Sequence, residues 1–274
     1  KKFGIKPGIS LFVHSSLSQI GSIKGGANTV VDSLIKVVGQ DGTIMMPGFT
    51  ISNSMEESLE IFQKNDITFN YKTEKPLTGA IPRSFFKVKN VLRSIHPTHS
   101  VLAWGKNAEY ITSDHEICDT TFGKGTPLYK LIETGSYIMG LGSGIGYVTF
   151  YHVIEDVNKD FPIEVYGRKE YKIKLLIDNK TRLLSLKSHK KQQTRIERIN
   201  GTWARTFIKN YFKQVGKLME GRIGGANCWI IKASDMYDCL EKLMNAGITI
   251  YSPAPNYFYK IYFSVKGLME KLNR

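Results

Sequence analysis

Residues 10–47, SLFVHSSLSQIGSIKGGANTVVDSLIKVVGQDGTIMMP, contain the pattern that decides the fold. The first five residues of this stretch, Ser10–His14, form a short apolar run, which predicts a buried strand ending in small polar residues. Between 28 and 38 the apolar residues recur with the spacing of one helix face, and the segment 39–42 closes that helix. The apolar run 43–47 predicts the next strand. This order of strand, helix and strand indicates an α/β layered domain.

The same patterns continue along the chain. They predict strands at 100–104 and 136–141, and helices at 55–62, 81–87, 108–113, 126–135 and 233–246. Asp178 and Asn179 separate two further strand segments and predict a hairpin turn. Residues 52–76 are otherwise polar and poorly periodic, which is typical of a loop that covers a site. Because no linker rich in proline, glycine or serine divides the chain, residues 1–274 are predicted to form a single domain.

The composition limits the class of protein. The chain has 274 residues, of which 42% are hydrophobic, and this is enough for a sizeable core. Its three cysteines are widely spaced, so neither a disulfide framework nor a zinc site is expected, and a reducing compartment suits the chain best. No apolar run is long enough to span a membrane, and the first residues lack the apolar core of a signal peptide. We therefore expect a cytoplasmic protein.

Positive charge is concentrated in one segment. The net charge is +14, and residues 165–217 contain 15 lysines and arginines against three acids. Such a field favours polyanions, phosphorylated ligands or an anionic membrane surface, although a solvated lysine-rich face explains it equally well. Aromatic residues interleave this segment only sparsely, so single-stranded nucleic acid fits poorly and no nucleic-acid partner is expected. We interpret residues 165–217 as a basic elaboration of the domain, with transient membrane-surface contact left open.

The strongest candidate for chemistry is the segment 149–155, TFYHVIE, which follows the glycine-rich turn 140–146. In a helix, Thr149, His152 and Glu155 lie on one face because they are three residues apart. A carboxylate one turn from an imidazole can accept its N–H and support the imidazolium, as in a general base. The turn could also bring backbone N–H groups to developing negative charge. The same spacing occurs in surface pairs and in structural histidines.

A second polar segment follows the first strand. His14, Ser15, Ser16 and Leu17 lie at a strand end, where α/β sheets bind ligands, although serines there also serve as helix caps. Familiar nucleotide motifs are excluded, because the glycines of 140–146 lack the dinucleotide spacing and no Walker lysine is present. The chain also lacks a G-x-S-x-G elbow, which argues against an α/β-hydrolase.

The segment 93–100, RSIHPTHS, is a third candidate. Its proline makes a rigid loop that contains one arginine, two histidines and several hydroxyls. Arg93 and the hydroxyl groups could hold a phosphate. Metal binding by His96 and His99 is the weaker alternative, since no third ligand lies nearby in sequence.

Together these segments resemble the aminoglycoside 3-N-acetyltransferase family. The matching motifs, in chain order, are His14-x-Ser-Leu17, Gly25-Gly26, Gly42–Pro47, Gly79-x-Ile-Pro82, Arg93–Ser100, Gly125–Leu128 and Thr149–Glu155. The resemblance covers residues 8–157 well and the remainder thinly. It implies a three-layer α/β/α domain with a central mixed sheet, distinct from the GNAT acetyltransferases. It also implies transfer of an acetyl group from acetyl-CoA to a primary amine.

The resemblance further implies roles for individual residues. His152 would be the base, Glu155 its orienting carboxylate and Thr149 a hydroxyl near the thioester. Two groups of residues would line the coenzyme A tunnel. The first is His14, Ser15, Ser16 and Leu17, and the second is Arg93, Ser94, His96 and Ser100. The chemistry agrees, because a carboxylate-backed histidine suits the deprotonation of an amine and no metal is required.

The acceptor is predicted from charge. Aminoglycosides are polycations, and the basic segment 165–217 lies where the family's acidic stretch is expected. This favours an amino sugar linked to a nucleotide or a lipid, as in surface-polysaccharide synthesis. The alternative is an aminoglycoside-resistance enzyme. A third hypothesis, a non-catalytic protein that binds polyanions or membrane surfaces, is disfavoured by the intact Thr149, His152 and Glu155. The oligomeric state is left open.

Overall fold

The computed structural model of the chain describes residues 3–51, 53–190 and 202–253. The strands are β1 (Ser10–Ser15), β2 (Thr43–Pro47), β3 (Thr68–Phe69), β4 (Leu92–Arg93), β5 (Val101–Gly105), β6 (Tyr137–Leu141), β7 (Tyr166–Ile177), β8 (Lys180–His189), β9 (Met219–Ile223) and β10 (Ala226–Lys232). The α-helices are α1 (Leu17–Ile20), α2 (Gly26–Val38), α3 (Met55–Lys64), α4 (Ala80–Phe85), α5 (Ala108–Thr112), α6 (Pro127–Glu133), α7 (Tyr151–Val157), α8 (Thr202–Gln214) and α9 (Ala233–Asn245). Two short 3₁₀ turns span His115–Ile117 and Ile145–Tyr147.

A mixed sheet of seven strands, in the order β4-β5-β2-β1-β6-β10-β9, organises the fold. β1 lies at its centre and pairs in parallel with β2 and β6, whereas the outer strands add in antiparallel fashion. Because β1 and β6 are parallel, their carboxyl ends meet at one edge of the sheet, where Ser15 pairs with Leu141. Side chains from both strand ends can therefore reach one cavity at that edge.

Helices cover both faces of this sheet. Successive residues of β1 alternate between the faces: Leu11 and Val13 belong to the core formed with α2 and α4, and Phe12 belongs to the core formed with α5 to α9. All three side chains are fully buried. The alternation follows from the two-residue period of a strand, which sends neighbouring side chains to opposite faces. The predicted three-layer α/β/α architecture with a central mixed sheet is confirmed.

A small second sheet, in the order β3-β7-β8, packs with α3 around a separate apolar cluster. Its hairpin turns at Asp178 and Asn179, whose φ values of 48° and 61° fit the left-handed turn that joins two tightly paired strands. The hairpin contains the first part of the basic segment, and α8 contains most of the last part. Residues 191–201 of that segment lie outside the described residues. The single-domain organisation of residues 1–274 stays a prediction.

Within the described ranges, no helix combines the length and the apolar character needed to cross a membrane.

Candidate active site

The glycine-rich turn leads from β6 into α7. A Cβ atom at Gly140 would lie 2.0 Å from Nε1 of Trp229, and Gly142 has a φ of +73°. The Trp229 indole donates a hydrogen bond to the Ser143 carbonyl at 2.6 Å, which closes the turn. The first glycines are therefore required for packing and backbone conformation. The later part of the turn, including Ser143 and Gly146, lines the cavity at the sheet edge.

The predicted pair of His152 with Glu155 is formed in α7. His152 Nδ1 and Glu155 Oε2 are 2.8 Å apart, and both residues are buried. Thr149 precedes the helix, and its carbonyl accepts a hydrogen bond from the His152 amide at 3.0 Å. Thr149 and His152 both line the cavity, whereas Glu155 lies behind the imidazole. With Nδ1 directed to Glu155, Nε2 of His152 lies on the opposite side of the ring from that carboxylate.

Two rings hold the His152 imidazole. Phe122 stacks on it at 5.2 Å between ring centroids, with an interplanar angle of 27°. His189, at the end of β8, meets it edge to face at 4.8 Å. The imidazole of His152 is thus fixed by a hydrogen bond in the plane of its ring and by packing against its face and edge. A rotamer held in this way needs little reorganisation when a proton is transferred.

Two buried carboxylates stand behind the base. Glu155 Oε1 accepts a hydrogen bond from the Tyr251 hydroxyl at 2.9 Å. Asp156 Oδ2 accepts from the Phe122 amide at 2.8 Å and from the Tyr166 hydroxyl at 2.6 Å. Burial and the neighbouring Asp156 carboxylate raise the pKa of Tyr166, so its phenol stays protonated as a donor. This network fixes α7 to the loop before α6 and to the second sheet.

The cavity at the sheet edge has a volume of about 390 Å³. Polar or charged residues from several parts of the chain line it, among them His14, Ser15, His99, Thr149, His152, His189 and Arg205. Among the described residues that line it, Arg205 on α8 is the only lysine, arginine, aspartate or glutamate. The Arg205 guanidinium lies 5.7 Å from the centre of the Tyr147 ring. A cavity of this size, lined by both apolar and polar side chains, suits part of a small-molecule ligand.

The first group of predicted coenzyme residues divides at the end of β1. His14 and Ser15 line the cavity. His14 Nε2 and Ser15 Oγ are buried and have no hydrogen-bond partner among the described residues. Burial lowers the pKa of His14 to about 4, so its imidazole is neutral at pH 7. Ser16 instead bonds to Ser18 at 3.2 Å between hydroxyl oxygens, and Leu17 packs on the core of the α2 face.

The second group lies deeper in the fold. The buried Arg93 guanidinium donates to Ser100 Oγ at 2.7 Å, to the Gly48 carbonyl at 2.6 Å and to the Glu74 carbonyl. Ser100 also donates to the Gly48 carbonyl, at 2.8 Å. These contacts hold the segment 47–49, whose Pro47 and Phe49 line the cavity. The phosphate role of Arg93 stays a prediction.

Ser94 and His96, the other two members of the second group, are also buried. Ser94 Oγ lies 2.9 Å from His115 Nδ1 and accepts from the Val101 amide. His96 Nδ1 accepts from the backbone amide of His99 at 3.0 Å, and its ring stacks on His115 at 4.6 Å. Burial and the neighbouring imidazoles lower the pKa of His96 well below its usual value. Of the two histidines in this segment, His99 is the one that lines the cavity.

Within the part of the chain that the structure describes, one group of residues could hold a metal ion. The ligand atoms of His152, Glu155 and His189 all lie within 4.8 Å of one another. The spacing in sequence did not suggest this set, because His189 is far from the other two residues. Glu155 already accepts hydrogen bonds from His152 and Tyr251. The prediction that the reaction needs no metal stays a prediction.

Several residues of the site were missed by sequence reasoning. Asp156 offered the clearest signal, since it directly follows Glu155. His189 was hidden inside a lysine-rich stretch that indicated a solvated face. Phe122, Tyr166 and Tyr251 join the site through contacts between elements distant in sequence, for which no local pattern exists.

Comparison with known proteins identifies the family. The aminoglycoside 3-N-acetyltransferase family profile matches residues 12–245. The SPbeta prophage-derived aminoglycoside N(3')-acetyltransferase-like protein YokD of Bacillus subtilis (strain 168) is 30% identical over 268 residues, which cover 88% of each chain. Aminoglycoside N(3)-acetyltransferase III of Acinetobacter baumannii is 30% identical over 247 residues, covering 86% of this chain and 85% of that protein. The chain belongs to the aminoglycoside 3-N-acetyltransferase family and is therefore an acyltransferase.

A solved structure agrees with the fold. AAC-IIIb, determined as a binary complex with CoASH, superposes with a TM-score of 0.76 over 92% of this chain and 95% of its own, at 22% identity. The architecture is thus that of this acetyltransferase family and not the GNAT fold. The expected acetyl-CoA cosubstrate is in keeping with the CoASH bound to that relative.

The buried histidines predict acid sensitivity. All six histidines are buried, and burial lowers the pKa of His14 and of His115 to about 4. Because these folded-state values lie below the unfolded value of about 6.5, the unfolded chain binds more protons as the pH falls. Their contribution is fully present above about pH 6.5 and is lost toward pH 4. At pH 5 the lowered pKa of each of these two histidines should reduce the free energy of unfolding by about 2 kcal/mol relative to neutral pH.

Urea unfolding at pH 7.5 and 5.0 measures this loss. In His115→Gln the fall in the free energy of unfolding between pH 7.5 and pH 5.0 should be smaller by about 2 kcal/mol, because one such histidine is removed. An equal difference in the variant and the parent protein would contradict the assignment of acid sensitivity to His115.

Proposed function

We propose that the chain transfers the acetyl group of acetyl-CoA to a primary amine of an aminoglycoside. The observation that carries the proposal is the 2.8 Å contact between His152 Nδ1 and Glu155 Oε2 at the wall of the cavity. It gives a histidine with a fixed tautomer, one nitrogen toward the cavity and a carboxylate behind it, which is the arrangement required of a general base. Membership in the family supports the same chemistry.

The proposed reaction is direct transfer. The amine nitrogen attacks the thioester carbonyl carbon while His152 Nε2 takes a proton from the nitrogen, and Glu155 stabilises the resulting imidazolium. The tetrahedral intermediate carries negative charge on oxygen, to which the Thr149 hydroxyl can donate. Breaking the carbon–sulfur bond releases the coenzyme A thiolate, which takes from His152 the proton that the amine gave up. Amide and thiol are the products, and the enzyme returns to its starting state.

The coenzyme is proposed to enter at the ends of β1 and β6. His14 and Ser15 provide buried polar atoms on that wall, suited to the amides of a pantetheine arm. Arg93 and Ser100 would act on the same site by holding the segment that forms the adjacent wall. His96 would act by accepting a hydrogen bond from the amide of His99, which lines the cavity, and Ser94 by its hydrogen bond from the Val101 amide. Ser16 and Leu17 follow the strand end, where Leu17 begins α1. The proposal locates the reaction in the cytoplasm, in keeping with three free cysteines.

The named relatives support an aminoglycoside acceptor better than the charge of the basic segment supports an amino sugar. Both curated relatives described above are named for aminoglycoside acetylation. The nucleotide- or lipid-linked amino sugar predicted from the basic segment has no comparable support. The non-catalytic hypothesis is disfavoured by the assembled base.

The net charge of residues 165–217 overstates the positive field around that segment, because acids outside the segment pair with its lysines. Lys169 lies 3.0 Å from Glu60, and Lys174 lies 2.7 Å from Asp66. Further pairs join Lys190 to Glu164, Lys209 and Lys213 to Glu220, and Lys217 to Asp235. The local field is therefore weaker than the sequence of the segment suggests, although each exposed pair adds little stability.

A thiol-release assay tests the acceptor. With acetyl-CoA, the protein should acetylate gentamicin-type aminoglycosides at the 3-amino group, as mass spectrometry and NMR of the product would establish. Nucleotide amino sugars serve as the comparison panel. Activity on those sugars with none on any aminoglycoside would overturn the proposed acceptor.

Replacement of the base tests the mechanism. His152→Ala should lower kcat by about 10² to 10⁴, because proton transfer from the amine is lost. Glu155→Gln should lower it less, since the imidazole remains. Circular dichroism must show both variants folded, and near-normal kcat in folded His152→Ala would refute the assignment.

Replacement of Ser15 tests the coenzyme wall. Ser15→Ala should weaken coenzyme A binding by about fivefold, the effect of losing one hydrogen bond of about 1 kcal/mol. Isothermal titration calorimetry gives the affinity. Ser185→Ala, an equivalent change on the exposed face of the hairpin, is the matched control and should bind normally. Equal affinities in both variants would locate the coenzyme elsewhere.

A further inference from the structure

The cavity at the sheet edge contains a fixed positive charge. Among the described residues that line it, Arg205 is the only one whose side chain is permanently charged. Arg205 is half-buried and lies in the first turn of α8, where the helix dipole also favours anions. In the proposed transfer only the reacting amine, which loses its proton to His152, has to enter the cavity. The transfer therefore gives this cation no role.

The glycine-rich turn fixes the position of Arg205. A Cβ atom at Gly146 would lie 3.3 Å from Arg205 Cδ, so the missing side chain leaves room for the stem of the arginine. The guanidinium stacks over Tyr147, which is 78% exposed and also lines the cavity. A cation–π contact orients a guanidinium and leaves its charge in place. The charge is thus held at the wall of the cavity beside the turn that follows β6.

A second donor belongs to the same wall. Tyr151 lines the cavity and is 3% exposed, and its hydroxyl is buried without a hydrogen-bond partner among the described residues. Burial raises the pKa of Tyr151, and the charge of Arg205 acts in the opposite direction, which places the guanidinium within electrostatic reach of the phenol. The phenol is therefore protonated at pH 7. A buried hydroxyl without a partner costs free energy that a ligand oxygen recovers.

Phosphate is the chemical group that these two donors fit. A guanidinium presents its N–H groups in a planar fork that matches two phosphate oxygens, and a phenol adds one further donor. None of the described residues that line the cavity is an aspartate or a glutamate, so no fixed negative charge on its wall opposes an anion. An ammonium group of a polycation, in contrast, is repelled by Arg205.

We propose that Arg205 and the hydroxyl of Tyr151 form an anion-binding subsite of the cavity, which binds a phosphate group of a substrate. The inference rests on the proposed function, since the substrates are those of the acetyl transfer. Two sources provide this chemistry. One is the coenzyme, whose diphosphate follows the pantetheine arm, and the other is a phosphate ester carried by the acceptor.

The coenzyme arm of the test needs no acceptor. Isothermal titration calorimetry gives the affinity for coenzyme A, and displacement titration gives the affinity for pantetheine, which has no phosphate. If the coenzyme is the source, Arg205→Gln should weaken coenzyme A binding by about 10- to 100-fold, the effect of losing a hydrogen bond to a charged group. Binding of pantetheine should not change.

The acceptor arm compares an amino sugar with its phosphate ester in the thiol-release assay. If the acceptor is the source, the wild-type protein should have a higher kcat/KM for the phosphate ester. Arg205→Gln should abolish that preference and leave coenzyme A affinity unchanged. Added salt should reduce the preference in the wild-type protein, because the guanidinium is only half-buried and its charge is partly screened.

A matched control removes the same charge from the same helix. Lys213 lies 2.7 Å from Glu220 and is not among the residues that line the cavity. Lys213→Gln should therefore leave both coenzyme A affinity and the choice of acceptor unchanged. An equal effect of Lys213→Gln and Arg205→Gln would attribute the result to net charge and overturn the subsite.

Tyr151→Phe tests the second donor without changing the volume of the side chain. It should weaken binding by about fivefold in the same arm as Arg205→Gln. If Arg205→Gln fails to fold, Arg205→Lys keeps the charge and the stem but loses the fork, and it should weaken phosphate binding partially. A folded arginine variant that alters neither coenzyme A affinity nor the preference for a phosphate ester would overturn the proposal. Unchanged binding in Tyr151→Phe would overturn the role of the hydroxyl.

The two levels of inference fail separately. Absence of acetyl transfer to any aminoglycoside would refute the proposed acceptor, while calorimetry with coenzyme A and pantetheine would still test the subsite. Conversely, an active enzyme whose folded Arg205 variant handles both phosphate ligands normally would retain the acetyl transfer and lose the subsite.

Discussion

Glu155 and Asp156 are adjacent residues whose side chains are both withdrawn from water. A buried carboxylate is stable only when donors surround it, and two of them side by side require several donors at once. This requirement draws together parts of the chain that are far apart in sequence: α7 itself, the loop before α6, both strands of the hairpin and the segment after α9. The geometry of the base is a result of meeting that requirement, since the same hydrogen bonds that satisfy the acids also orient His152.

Burial of the histidines around this site lowers the stability of the fold in acid. Five of the six form a continuous row of ring contacts through Phe122, from His115 to His189. Three of them, His99, His152 and His189, line the cavity, and their burial limits the contact of water with its wall, which strengthens electrostatic interactions with a bound ligand. The same burial makes the fold sensitive to acid. Stability at low pH and a dry reaction site are therefore opposed in this protein.

The parts that were predictable from sequence depend on local patterns. The β1-α2-β2 unit, the hairpin turn at Asp178 and Asn179, and the pair of His152 with Glu155 all arise from spacings of a few residues. The charge of the basic segment was counted correctly, but its partners lie elsewhere in the chain and become neighbours only in the fold. His189 and Tyr251 belong to the same category, because contacts across the sheet edge leave no periodic trace in sequence. The interior position of Arg93 was equally hidden, since an arginine that serves backbone carbonyls resembles one that awaits a phosphate.

The contact between Tyr251 and Glu155 links residues that are 96 positions apart. During synthesis the ribosome releases α7 long before Tyr251, so Glu155 can contact His152 on the same helix well before the tyrosine hydroxyl is available. The catalytic group is consequently among the last features of the molecule to be completed. A chain that ended before Tyr251 would lack the hydroxyl that secures Glu155.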